Sequence, residues 1–135
     1  MDIRTVCIFS LGHRFSQYLK ISPKQLDNER PIHTRRDSYF FQTLSEVFRK
    51  HSVSPKHVVE TGQFTGACEL VARGVGVSIV SELDARTYQG QLDFLPFTPN
   101  IPHQLSLVRP THLAPSMITL NFMKKFNGSL DYLLA

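Results

Sequence analysis

The stretch Phe64 to Val80 constrains the fold of this chain more tightly than any other. It reads as one short helix, a glycine stop and one buried strand. Thr65 is placed to cap the helix, since a threonine hydroxyl accepts an orphan first-turn N–H. Ala67, Leu70 and Val71 share one face at helical spacing, with Glu69 and Arg73 outside. Gly74 supplies the left-handed residue that ends a helix at low cost. Val75 to Val80 is almost wholly apolar and β-branched, the pattern of a strand covered on both faces. A helix leading directly into such a strand is half of a parallel α/β repeat.

The rest of the chain extends the alternation. Thr5 to Ser10 predicts a first buried strand, and Leu11-Gly12-His13 turns the chain out. Ser22 to Leu26 predicts a short helix with Pro23 at its first position. Pro31 to His33 is extended and leads through Thr34-Arg35-Arg36-Asp37-Ser38 into the strongest helix. There Phe40, Phe41, Leu44, Val47 and Phe48 form the apolar stripe, and Asp37 or Ser38 is the cap. After the break at Ser52 to Pro55, a strand is expected over His57 to Thr61, then the turn Gly62-Gln63-Phe64. Beyond Val80 come a short helical segment from Ser81 to Tyr88 and an edge strand from Leu92 to Phe97, kept at the edge by Pro96. A loop over Thr98 to Pro102 marks the one candidate boundary. A strand is expected over Gln104 to Arg109, and a helix over Pro115 to Phe126, capped near Ala114 or Ser116 and stopped by Asn127-Gly128. Strands alternating with helices imply a largely parallel sheet with helices on both faces.

Composition bounds the function. With 41% hydrophobic and 19% charged residues among 135, the chain is globular rather than disordered. No apolar run approaches the roughly 20 residues of a membrane helix. The start Met1-Asp2-Ile3-Arg4 is not that of a signal peptide, so a soluble, cytoplasmic protein without membrane contact is expected. The net charge of +4 is spread along the chain rather than gathered into the basic stripe of a nucleic-acid surface. Cys7 and Cys68 lack metal-site spacing and read as buried, inert thiols.

Catalytic motifs fail on inspection. Gly74-Val75-Gly76-Val77-Ser78-Ile79 lacks the third glycine of a nucleotide loop and enters a strand instead of leaving one. There is no Gly-x-Ser-x-Gly elbow. The six histidines show no i, i+4 pairing and no acidic partner at metal spacing, so His13 and His57 read as turn and strand-start residues. No enzyme, cofactor or metal is expected.

Taken together, Thr5 to His13, the long helix, Val58-Val59-Glu60-Thr61 and Leu70 to Val80 resemble the regulatory half of LysR-type transcriptional regulators. Leu105 to Arg109 and Pro115 to Phe126 match the closing strand and helix of that pattern, so the likeness runs from about Thr5 to Phe126. It implies a Rossmann-like lobe of a periplasmic-binding-protein type II fold, its sheet mostly parallel with helices on both faces. It also implies a division into a second regulatory lobe, residues 1–104, and a return strand with C-terminal helix, residues 105–135. The family's winged helix-turn-helix and first lobe do not match here, so DNA contact is expected only through an N-terminal domain outside this sequence. The style of Val58 to Thr61 and of Arg109-Pro110 is similar to regulators that answer amino acids such as lysine and opines.

In open α/β sheets, ligands bind beyond the carboxyl ends of the strands, where helix N-termini point their N–H groups. Three such ends follow from the reading: Thr34 to Ser38, Gly62 to Thr65, and Ser81-Glu82. The resemblance implies that these turns form one wall of a cleft between lobes. Thr65 and its neighbouring amides would hold a carboxylate, Phe64 would pack on the ligand body, and Gln63 would orient it. Ser81 and Thr34 join the candidate set, as does Arg35, which with Arg36 could fork a carboxylate. Each has a plainer role: Thr65 as cap, Phe64 as a staple or core residue, Arg35 and Arg36 solvated, Glu82 favouring a helix dipole. The expected partners are a small carboxylate-bearing effector and further copies of the chain, as dimer or tetramer. The competing classes are a solute-binding lobe, a flavodoxin-like enzyme or response module, and a dimerisation module without its own ligand.

Overall fold

The computed structural model describes residues 1–56 and 59–134. It divides into two units, Asp2–His103 and the segment from Gln104 on together with Met1. In the first unit, strands β1 (Thr5–Ser10), β2 (Pro31–Thr34), β3 (Val59–Thr61), β4 (Val77–Ser81) and β5 (Leu92–Pro96) form one sheet in the order β3-β2-β4-β1-β5. Helices α1 (Tyr39–Lys50), α2 (Phe64–Ala72) and α3 (Glu82–Arg86) connect them. β2 is parallel to both β3 and β4, whereas β1 is antiparallel to β4 and to β5. Four strands therefore share one direction and β1 alone runs against them. His57 and Val58 of the expected third strand lie outside the described residues.

Alternation along the buried strands divides the core into two layers. On β1, Val6 and Ile8 face one layer while Cys7 and Phe9 face the other. The layer of Val6 and Ile8 takes Ala67, Cys68 and Val71 of α2 and Ala85 of α3, and the layer of Cys7 and Phe9 takes Leu44 and Phe48 of α1. Helices thus cover both faces, and both thiols are buried and unpaired. Burial pushes both thiols up, Cys68 to about 12, so neither has the thiolate that reactivity needs.

The expected β4 begins two residues late for a physical reason. Gly74 adopts φ +79, and its N–H and that of Val75 donate back to the carbonyls of Val71 and Leu70 (2.9 and 3.1 Å). That pairing is a Schellman closure, which assigns Val75 to the end of α2. Gly76 then passes so close to Arg30 that a Cβ there would stand 1.9 Å from the Arg30 carbonyl oxygen. β5 is the expected edge strand, and β3 forms the opposite edge. The two early helical segments, Arg14–Gln17 and Pro23–Leu26, are 3₁₀ turns.

Two further expectations are corrected in the second unit. Residues 105–109 form no strand: Leu105 exchanges backbone hydrogen bonds with Met1 (3.0 and 3.1 Å), and no ladder continues beyond it. Helix α4 (Met117–Leu134) runs through Asn127-Gly128 rather than stopping there. A mid-helix glycine costs only about 1 kcal/mol against alanine, so it is a weak stop without a left-handed turn. Ser116 caps α4 by accepting from the Thr119 N–H at 3.1 Å.

Candidate functional site

The sheet reverses its winding between β2 and β4. β2 feeds α1 on one face and β4 feeds α3 on the other, which opens a crevice at their carboxyl ends. A depression of ≈ 400 Å³ lies at this rim, lined by Thr34, Ser38, Phe40, Gly62, Gln63, Phe64, Thr65, Asp84 and His103. Thr34 ends β2, Ser38 and Phe40 open α1, Gln63 to Thr65 open α2, and Asp84 lies in α3.

Four of the six candidate residues, Thr34, Gln63, Phe64 and Thr65, are gathered here. Arg35 and Ser81 are not. The Arg35 guanidinium grips Asp37 (Nε to Oδ1 2.9 Å) on the exposed surface, and Arg36 pairs with Glu60 at 3.4 Å. Ser81 is buried beneath the rim as the N-cap of α3. Its Oγ accepts from the Asp84 N–H (3.2 Å) and its hydroxyl donates to the Asp84 carboxylate. Thr65 does not cap α2: the cap position is Gln63, whose side chain makes no capping hydrogen bond. Two residues of register explain this, since Thr65 lies inside the first turn, past the extended residue whose side chain could reach back.

Phe64 belongs to an aromatic trio. Its ring meets Phe40 edge-to-face at 4.9 Å and His103 at 5.5 Å, and Phe40 lies 6.0 Å from His103. Burial pushes the His103 imidazole below the ordinary histidine range, against a smaller opposing pull from Asp84, which favours the neutral ring. Sequence reasoning placed Ser38 and Phe40 only as cap and stripe, and missed Asp84 and His103 altogether. Asp84 had a local signal in its i+3 spacing from Ser81. His103 had none, because it reaches the rim through a loop that Asn100 pins to β1. The Asn100 side-chain oxygen accepts from the Thr5 N–H (3.0 Å) and Thr5 hydroxyl (3.1 Å), while Ile101 N–H donates to the Thr5 oxygen (3.1 Å).

Among the described residues that line the depression, the groups suited to an anion are backbone N–H groups at helix starts. The first turn of a helix leaves its N–H groups without intrahelical partners, and the aligned dipoles add partial positive charge. At α1 the Ser38 hydroxyl oxygen takes the Phe41 N–H (3.1 Å), whereas α2 opens with no side-chain cap. Beside the rim, Glu82 is held by Arg4 (2.7 and 2.9 Å) and Arg86 (2.9 and 3.1 Å). Burial alone would raise its carboxyl, yet the two guanidinium groups together hold it below the usual range. His13 fulfils its turn role: its Nδ1 accepts from the Phe15 N–H (3.1 Å), which leaves Nε2 to donate to Glu29 at 3.3 Å. Among the described residues, no group of three or more His, Cys, Asp or Glu is placed to hold a metal.

A sheet with one reversed strand, helices on both faces and a depression at its switch point is a lobe of the periplasmic-binding-protein type II fold. The chain belongs to the LysR substrate binding domain family, whose model matches residues 1–126. That family is regulatory rather than catalytic. The transcriptional activator protein LysR of Escherichia coli K12 is 28% identical over 135 residues, 99% of this chain and 43% of that protein. The regulatory protein NocR of Agrobacterium tumefaciens T37 is 26% identical over 122 residues, 90% of this chain and 41% of that protein. The chain thus spans about two fifths of these curated relatives. Among solved structures, the Synechocystis PCC6803 CcmR regulatory domain in complex with 2-PG superposes with TM-score 0.67 at 21% identity, covering 98% of this chain and 62% of that one. The effector binding domain of QuiR in complex with shikimate gives TM-score 0.66 at 16% identity, covering 73% and 46%.

Proposed function

We propose that this chain is the sensing lobe of a LysR-type transcriptional regulator and binds a small carboxylate-bearing effector at the β2/β4 switch point. One observation carries the reading: the N-termini of α1 and α2 open on the same depression, and α2 does so without a side-chain cap. Its first-turn amides and the Thr65 hydroxyl receive the carboxylate, Gln63 orients it, and Thr34 and the Phe64 ring bound the ligand body. CcmR with 2-PG and QuiR with shikimate support the reading, as solved relatives of the same fold that carry small ligands. In the whole regulator, a cytoplasmic homo-oligomer, effector occupancy shifts the balance of conformations that sets DNA binding or transcription. DNA contact belongs to sequence outside this segment. Among the described residues no helix is long and apolar enough to cross a membrane.

Thermal melts against a panel of small carboxylates and amino acids test the assignment. A binder present at 100 times its Kd should add about 2.7 kcal/mol of stability. Thr65→Val keeps the side-chain shape, removes the hydroxyl, and should weaken that binder about threefold to tenfold while moving stability by less than about 0.5 kcal/mol. A binder whose affinity ignores Thr65 and whose footprint lies away from α2 would refute the site.

A further inference from the structure

Among the described residues that line the depression, His103 alone carries a side chain whose ordinary charge change falls between pH 5 and 8. The backbone that carries it is fixed. The His103 carbonyl accepts from the Ile3 N–H at 2.8 Å, and two residues earlier the Ile101 N–H donates to the Thr5 hydroxyl oxygen at 3.1 Å. The ring stands edge-on to Phe64, the first residue of α2, at 5.5 Å. Among the described residues neither of its ring nitrogens has a hydrogen-bond partner. The charged group that shares the lining is Asp84 of α3, and the lining residues of α1 and α2 carry none. Beneath Thr34 of β2 lies His33, whose Nδ1 bonds the Thr34 carbonyl at 2.7 Å and whose Nε2 stands 4.0 Å from Glu60. On the loop beyond, Arg35 and Arg36 pair with Asp37 and Glu60.

Burial favours the neutral His103 ring, and Asp84 opposes it only in part. A carboxylate seated on the first-turn amides of α2 adds a second negative charge to the same ≈ 400 Å³ depression. Salt screens partly buried charges poorly. An opposite charge at about 4–6 Å favours the protonated ring at least about tenfold in its equilibrium. We propose that carboxylate binding at this depression is coupled to the uptake of a proton by His103, so that acidification tightens the complex. This rests on the carboxylate reading above and adds its regulation. The bound state protonates at the higher pH. Affinity therefore rises as pH falls through the bound-state midpoint and levels off below the free-state midpoint.

Acetate is the probe and acetamide its uncharged counterpart, each titrated into the chain at constant ionic strength between pH 5.5 and 8. NMR follows the amides of Phe64, Thr65 and Gly66 for binding and the His103 Cε1–H for protonation. Acetate should bind about tenfold more tightly at the acid end and raise the His103 midpoint by about one pH unit, while acetamide leaves that midpoint in place. His103→Gln should flatten the pH dependence of acetate binding; a dependence that survives belongs to His33 or another group and overturns the proposal. Acetate that shifts the α2 amides without moving the His103 midpoint also overturns it and leaves the carboxylate site standing. No shift of those amides at any pH overturns both. If His103→Gln fails to fold, the His103 resonance of the unsubstituted chain decides by itself.

Discussion

The mouths of α2 and α3 lie on one rim and are built in opposite ways. At α3, Ser81 and Asp84 close the first turn on each other, Glu82 is clamped by Arg4 and Arg86, and Ser81 and Glu82 are buried. At α2 the cap residue is Gln63, its side chain makes no capping bond, and the turn opens into the depression. Both helices follow strands that point the same way, so the difference lies in side chains rather than in topology. A helix N-terminus is a fixed resource of N–H groups and partial charge: spent on an internal cap it stabilises the fold, left open it can receive an anion. This lobe uses one mouth for each purpose.

The largest expected effect tests what the two mouths share. Gly76→Ala drives a Cβ onto the Arg30 carbonyl where α2 hands over to β4. It should cost about 3 kcal/mol by overpacking, and weaken ligand binding only in proportion to unfolding. Equilibrium denaturation together with calorimetry checks both. Next, Ser81→Ala removes a buried cap and should cost about 1–2 kcal/mol, yet leave carboxylate affinity unchanged. A change in carboxylate binding without loss of stability would erase the distinction between the mouths. The converse substitution, Gln63→Ser, gives α2 the cap it lacks at a residue already extended (φ −145, ψ 162). It should raise stability by about 0.5–1 kcal/mol and weaken carboxylate binding, because the added hydroxyl competes for the same amides.

The smallest effect is a pH dependence. Glu82 is held below its ordinary value of 4.5 in the folded state by Arg4 and Arg86, which outweigh burial. Its contribution to stability is therefore complete above about pH 4.5 and drains away as pH falls through the lowered folded value. Glu82→Gln should flatten the acid limb of the stability curve and leave the neutral limb in place, as read by urea denaturation across pH 3 to 7. An unchanged acid limb would show that the clamp at α3 does not couple to folding.

Much of this architecture was legible because its signals are local. Gly74 marks the end of α2 in any context, the stripe from Phe40 to Phe48 can only cover a sheet, and Pro96 keeps β5 at an edge. The candidate site was legible in part. Thr34, Gln63, Phe64 and Thr65 follow from their places at strand ends and helix starts. The structure departs from the sequence reading where a residue's role depends on which side chains it meets and how deeply it is buried. Arg35 looks available until Asp37 is seen beside it. Ser81 looks exposed until β4 proves to be buried along its whole length. Gln104 to Arg109 has the pattern of a strand but no ladder to join.

By itself the sequence determined the alternation of strands and helices, the two-sided burial of β1 and β4, the glycine that ends α2 and the absence of catalytic motifs, since each is set within one or two turns of chain. Only the tertiary structure decided that β1 runs against its neighbours, that Gly76 must pass the Arg30 carbonyl, and that Asp84 and His103 join Phe64 at one rim. Local preference fixes what a segment can be. Which side chains meet depends on strand order and loop closure, and those follow from burying all the apolar faces at once.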